Sequence, residues 1–137
     1  MFEHLCNSEK ISIVGKSLDL TEKSSYRIMV LGATATGKTS IVRQFLYDQF
    51  TTKHVETMDD MYRGEFEASN GKTVSFDIED VGANYIYEFP SMKTVSLASA
   101  DAFILVFSLD QADTWDEVYK LRDMVREAKV SFYFSTT

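Results

Sequence analysis

The sequence predicts an α/β domain, a mostly parallel sheet with helices on both faces and one antiparallel hairpin at its edge. Three observations carry this. A short apolar run, Ile28 to Leu31, ends in a glycine-rich turn from Gly32 to Gly37 and leads into a helical pattern with Ile41, Val42, Phe45 and Leu46 on one side. Asn70-Gly71, the strongest short hairpin signal, separates two runs of period-two alternation. Ala102 to Phe107 lies in the most apolar stretch of the chain and reads as a central strand buried on both faces.

The elements follow in order. Residues 1 to about 25 carry one short apolar stretch, Ile11 to Val14, and no useful period, so they are expected to form a flexible arm. Gly15-Lys16-Ser17 resembles the tail of a phosphate loop, but Lys10 stands where the earlier glycine belongs. The helix after the glycine-rich turn should end near Tyr47 or Asp48, with Phe50 and the polar segment Thr51 to Asp60 beyond it. Met61 to Ala68 alternates as a strand with one apolar face, and Thr73 to Glu79 returns beside it with Val74, Phe76 and Ile78 at period two. Asp80 to about Phe89 reads as a tyrosine-rich loop. Pro90 opens a short helix carrying Met92, Val95 and Leu97. A last helix begins near Asp113 or Thr114 and runs through Lys129, with Val118, Leu121, Val125 and Ala128 at helical spacing. Asp113, Asp116 and Glu117 in its first turns suit the helix dipole. The order is β-α-β-β-α-β-α, and the loops at the strand carboxyl ends should form the site.

Composition removes several function classes. At 137 residues the chain supports one domain. The net charge is -7 and the 14 basic residues are dispersed, so no nucleic-acid partner is expected. Cys6, the single cysteine, rules out an intrachain disulfide and fits a reducing, intracellular, cytoplasmic setting. S-acylation of Cys6 would bring the chain to a membrane periphery. His4 and His54 have no partners at metal-ligand spacing. No apolar run approaches the length of a membrane span. Phe2 in place of glycine and the ending Phe134-Ser135-Thr136-Thr137 exclude N-myristoylation and prenylation, so no intrinsic membrane anchor is expected.

The chemistry is concentrated in Gly32-Ala33-Thr34-Ala35-Thr36-Gly37-Lys38-Thr39, which matches G-x-x-x-x-G-K-[ST] between a strand and a helix. Glycines let the backbone turn its N–H groups toward phosphate oxygens, and the helix beginning near Lys38 adds the positive end of its dipole. Lys38 would reach terminal phosphates, and the Thr39 hydroxyl would serve Mg²⁺, which prefers hard oxygen ligands. The fold class is therefore a P-loop NTPase-type sheet.

From about Tyr26 to Lys129 the sequence resembles the Ras-type small GTPases, including their dexamethasone-induced Ras-like branch. The resemblance rests on the phosphate loop, Thr39 to Phe45, the stretch Glu56 to Arg63, the strand Asp101 to Leu109 and the helix start Asp113 to Val118. It implies a partial Ras-like G domain over 26–129 that binds GTP or GDP with Mg²⁺ and acts as a signalling switch. Gly32 to Thr39 and Ser40 would surround the phosphates. Thr57 would bind Mg²⁺ and sense the γ-phosphate. Phe50 has two readings, a ring stacked on the guanine or a core residue. Thr57 to Tyr62 would be the segment that meets effector or regulatory proteins, with Asp59 and Asp60 offering charge to a basic surface.

The resemblance weakens at three places. The family's Asp-x-x-Gly is replaced by Ile78-Glu79-Asp80-Val81-Gly82, with two candidate acids. Asp80 fits the strand register better as the Mg²⁺-side carboxylate, and Gly82 as the phosphate-contacting glycine. Asn84 stands near the place of the water-positioning glutamine and Thr34 at the approach of an arginine finger, so slow hydrolysis is expected. The base-reading Asn-Lys-x-Asp and Ser-Ala-Lys motifs are missing, which makes the G domain incomplete and C-terminally truncated in this reading. Residues 130–137 form a divergent tail. Val130 to Phe134 either covers the open edge of the Ala102 to Phe107 strand or frays. The alternative function is a nucleotide-binding-deficient interaction module that presents the same effector face.

Overall fold

The computed structural model describes residues 9–14, 24–49, 60–67, 71–88 and 90–135. Its elements run β1 (Glu9–Val14), β2 (Ser25–Gly32), α1 (Lys38–Tyr47), β3 (Asp60–Glu67), β4 (Thr73–Asp80), α2 (Tyr85–Glu88), α3 (Pro90–Ser99), β5 (Ala102–Ser108) and α4 (Ala112–Ser135). The five-stranded sheet has the order β1-β5-β2-β4-β3. β2 is parallel to β4 and β5, while β1 and β3 close the two edges antiparallel.

Both faces of this sheet are covered, which is why β2 and β5 are apolar almost throughout. On one face Met29, Leu31, Phe103, Leu105 and Phe107 pack with Leu97 of α3 and Val118, Leu121, Val125 and Ala128 of α4. On the other, Val30, Ile78 and Val106 meet Ile41 and Val42 of α1. Arg27 braces the first face: Nη2 donates to Glu79 Oε2 at 2.7 Å, and the Arg27 N–H donates to Asp101 Oδ2 at 2.9 Å. The β3–β4 hairpin forms at the expected place, with Gly71 at φ 77, a left-handed turn conformation. Asn70 lies outside the described residues.

The structure corrects four expectations. Residues 9–14, expected within a flexible arm, form β1 on β5, from Glu9↔Ser108 to Val14↔Phe103. A short apolar run with no period gains order from a sheet edge that local pattern does not reveal. Residues 130–134 neither cover that edge nor fray as a tail, because α4 runs on to Ser135. No glycine or proline interrupts Ala112 to Ser135, so nothing stops the helix. The loop after Asp80 holds one helical turn, α2, opened by the Tyr85 N–H on the Gly82 carbonyl at 3.1 Å. Phe45, Phe66, Met92 and Val95, placed on apolar faces by pattern, are at least half exposed, except Phe66 at 49%.

Candidate phosphate-binding site

The site stands at the carboxyl ends of the parallel strands. β2 ends at Gly32, where any Cβ would run into the Val106 carbonyl oxygen of β5, so only glycine lets the two backbones approach here. Ala35 at φ 60 and Gly37 at φ 92 are both left-handed and turn the chain into α1. Gly37 is the N-cap, and its carbonyl accepts the Ile41 N–H at 2.9 Å. Inside the loop, Lys38 Nζ donates to the Gly32 and Ala33 carbonyls at 3.0 and 2.8 Å. Burial lowers the pKa of the Lys38 ammonium, and the charge of Asp80 opposes that shift. Thr34 is exposed, Ala33 is half-buried, and Ser40 lies half-buried in the first turn of α1.

The parallel register Val30↔Asp80 brings the end of β4 beside the loop. Alternation along β4 then separates the two candidate acids. Glu79 points to the face where Arg27 holds it, whereas Asp80 Oδ2 accepts the Thr39 hydroxyl. Asp80 is fully buried, and its other oxygen, Oδ1, has no hydrogen-bond partner. Burial raises the carboxyl pKa, against the Thr39 hydrogen bond and the Lys38 charge. A buried carboxylate oxygen without a donor, next to a hydroxyl, is a donor set suited to a hard cation such as Mg²⁺. Among the described residues no three His, Cys, Asp or Glu side chains gather as a metal cage. The remaining Mg²⁺ ligands would include phosphate oxygens and water, which this ion keeps readily.

Gly82 follows β4, and its carbonyl starts α2. Asn84 is exposed and accepts the Tyr87 and Glu88 N–H groups on its carbonyl at 3.0 and 3.1 Å. The Tyr87 hydroxyl donates to Glu117, tying α2 to α4. Phe50 and Thr57 lie outside the described residues, so of the segment Thr57 to Tyr62 the structure describes 60–62. Tyr62 donates to Asp60 Oδ2 at 3.2 Å; burial raises the pKa of its hydroxyl, and the Arg43 guanidinium of α1 opposes that shift.

Sequence reading missed two features of this region. One is the influence of Arg43 on Tyr62, for which sequence separation leaves no signal. The other is the Thr36 side chain, 1% exposed, whose hydroxyl donates to the Ala33 carbonyl at 2.9 Å. Its spacing was legible, because a threonine three residues past a carbonyl in a turn is placed to bond back to it.

Comparison with known proteins adds to this geometry. The model of the Ras family matches residues 27–134. The chain belongs to the Ras family. Within that family it is similar to the GTP-binding protein Rhes of Mus musculus, 39% identical over 113 residues that cover 82% of this chain and 41% of the relative. Rhes of Homo sapiens gives the same identity and coverage. The GTP-binding protein drn-1 of Caenorhabditis elegans is 29% identical over 115 residues, 84% of this chain and 52% of the relative. The chain thus spans about half the length of these curated relatives or less. Among the described residues, no helix of this Ras-family chain is long and apolar enough to cross a membrane.

Proposed function

We propose that the chain binds GTP and GDP with Mg²⁺ and works as a signalling switch that hydrolyses GTP slowly. The observation that carries this reading is the meeting of Lys38, Thr39 and the unpartnered Asp80 Oδ1 at one end of the sheet. The glycine-rich loop from Gly32 to Ser40 would cradle the phosphates with its backbone N–H groups and the N-terminus of α1. Lys38 would bear on the terminal phosphates. Thr39 and Asp80 would hold Mg²⁺, with Thr57 as the third protein ligand. Held there, the ion would supply neutralisation of phosphate charge. Gly82 would meet the γ-phosphate, and Phe50 the guanine. The names of the relatives, GTP-binding proteins, support the choice of nucleotide.

Slow turnover follows from Asn84 and Thr34. Phosphoryl transfer is catalysed almost wholly by positioning and charge stabilisation. An exposed asparagine, one methylene shorter than glutamine, is a weak substitute for a water-positioning glutamine. Thr57 to Tyr62 would present the effector face, with the Tyr62–Asp60 hydrogen bond at its described end. Neither Asn-Lys-x-Asp nor Ser-Ala-Lys occurs within residues 1–137.

Titration with fluorescent GDP and GTP in Mg²⁺, beside Lys38→Ala, tests the reading. Sub-micromolar binding that is lost in the variant is the expected result. No binding by either protein overturns it. Excess ATP as competitor measures base selectivity in the same experiment.

A further inference from the structure

Two side chains of the phosphate loop converge on one carbonyl. Thr36 Oγ1 donates to Ala33 O at 2.9 Å, and Lys38 Nζ donates to the same oxygen at 2.8 Å while also donating to Gly32 O at 3.0 Å. An ammonium has three donors, so loop carbonyls hold two of those of Lys38, and its place follows the orientation of their peptide planes. Thr36 is 1% exposed, which keeps its hydroxyl from exchanging with solvent. The space it occupies exists because residue 32 has no side chain: Thr36 Oγ1 would lie 3.2 Å from a Cβ there. The curvature of the loop comes from Ala35 at φ 60 and Gly37 at φ 92, on either side of Thr36. What Thr36 adds is a side-chain cross-brace from its own position back to the Ala33 peptide.

We propose that Thr36 is a positioning residue for phosphate binding, fixing the Ala33 peptide plane and through it the ammonium of Lys38. The inference rests on the phosphate-binding reading above and deepens it. Valine is the informative replacement. It keeps the branched shape and the burial of threonine but removes the donor. Ala33 O keeps its bond from Lys38, so no buried group is left unpaired and the fold loses little. The loop carbonyl is then free to turn, and Lys38 turns with it.

The test compares the full wild-type chain with Thr36→Val and Thr36→Ser, in Mg²⁺, by fluorescent GDP binding, by GMP competition and by thermal unfolding without nucleotide. Loss of one neutral hydrogen bond corresponds to about a fivefold weaker GDP affinity. The expected result is that loss in Thr36→Val, its recovery in Thr36→Ser, unchanged GMP competition, and an unchanged unfolding midpoint. GMP serves as the control because it lacks the phosphates that Lys38 would reach. Equal GDP binding by wild type and Thr36→Val overturns the proposal, as does an equal loss for GDP and GMP or a midpoint that falls in step with affinity. A wild-type chain that binds no GDP overturns the phosphate-binding reading and this inference with it, whereas intact wild-type binding with a neutral Thr36→Val overturns this inference alone.

Discussion

Thr39 donates its hydroxyl to Oδ2 of Asp80, and the other oxygen of that fully buried carboxylate has no partner. Under the proposed function the pair would hold a cation, and it is costly without one, because a buried acceptor left without a donor forfeits its hydration. Asp80→Asn removes the buried charge and should therefore stabilise the nucleotide-free chain, although the amide brings unmet donors of its own to the place of Oδ1. The same change should abolish the tightening of GDP binding by Mg²⁺. Urea unfolding in EDTA and GDP titration with and without Mg²⁺ measure the two effects. A variant less stable than wild type in EDTA would show that the buried charge of Asp80 is not the burden its desolvation implies.

Ala35 and Asp48 are the two non-glycine residues at positive φ among those described, at 60° and 53°. They differ in what compensates them. Asp48 ends α1, its N–H donates to the Gln44 carbonyl at 3.1 Å, and its carboxylate accepts from Gln44 Nε2 at 2.6 Å. Ala35 has an exposed methyl with nothing of the kind. A left-handed conformation costs a Cβ-bearing residue about 1–2 kcal/mol, against less than about 1 kcal/mol of added unfolded-state entropy when glycine replaces it. Ala35→Gly should raise stability by about 0.5 kcal/mol, and Asp48→Gly should leave it nearly unchanged. Chemical denaturation of both variants decides; equal effects would remove the side-chain compensation assigned to Asp48.

Lys129 ties the two helices on one face together. Its ammonium donates to the Ala98 carbonyl at 2.8 Å and to the Ala100 carbonyl, at the carboxyl end of α3, where the helix leaves acceptors without intrahelical donors. Its cation also lies 5.6 Å from the centre of the Phe103 ring. Lys129→Met keeps the apolar stem and removes the charge and its donors. Partly exposed, it should cost about 1–2 kcal/mol, toward the low end for hydrogen bonds to charged groups. Thermal unfolding checks the magnitude. Hydrogen exchange should place the loss in the last turn of α3, and a loss spread evenly over the fold would contradict the assignment.

What the sequence disclosed and what it withheld divide along the range of the interactions. The phosphate loop was legible because Gly32, Gly37, Lys38 and Thr39 do their work within eight consecutive residues. The hairpin was legible from Asn70-Gly71, and β5 from an unbroken apolar run. Asp80 against Glu79 was half legible: alternation puts them on opposite faces, but the faces are named by Arg27 and Thr39, far off in sequence. β1 was invisible because six residues with no period carry too little local signal, and their partners, from Glu9↔Ser108 to Val14↔Phe103, lie far off in sequence. The apolar positions Met92 and Val95 misled for a related reason. Helical spacing shows which residues share a face, not whether anything covers it.

The pairing of β1 with β5 carries the last prediction. Without it, β5 would be an apolar strand with one row of backbone N–H and carbonyl groups open, the configuration that recruits other chains. β1 supplies those partners over the register Glu9↔Ser108 to Val14↔Phe103. Deleting residues 1–23 should therefore lower stability by about 2 kcal/mol, the net of a short ladder against the entropy of ordering it. Aggregation should rise more steeply than that loss of stability alone would produce. Sedimentation and light scattering at matched folded fraction separate the two effects, and exchange of the β5 amides locates the opened edge. A truncated chain that stays monomeric with an unchanged unfolding midpoint would mean that β5 does not depend on β1. The result also bears on the site, because Val106 of β5 presses against Gly32 at the start of the phosphate loop. An opened β5 should loosen nucleotide binding as well as the sheet.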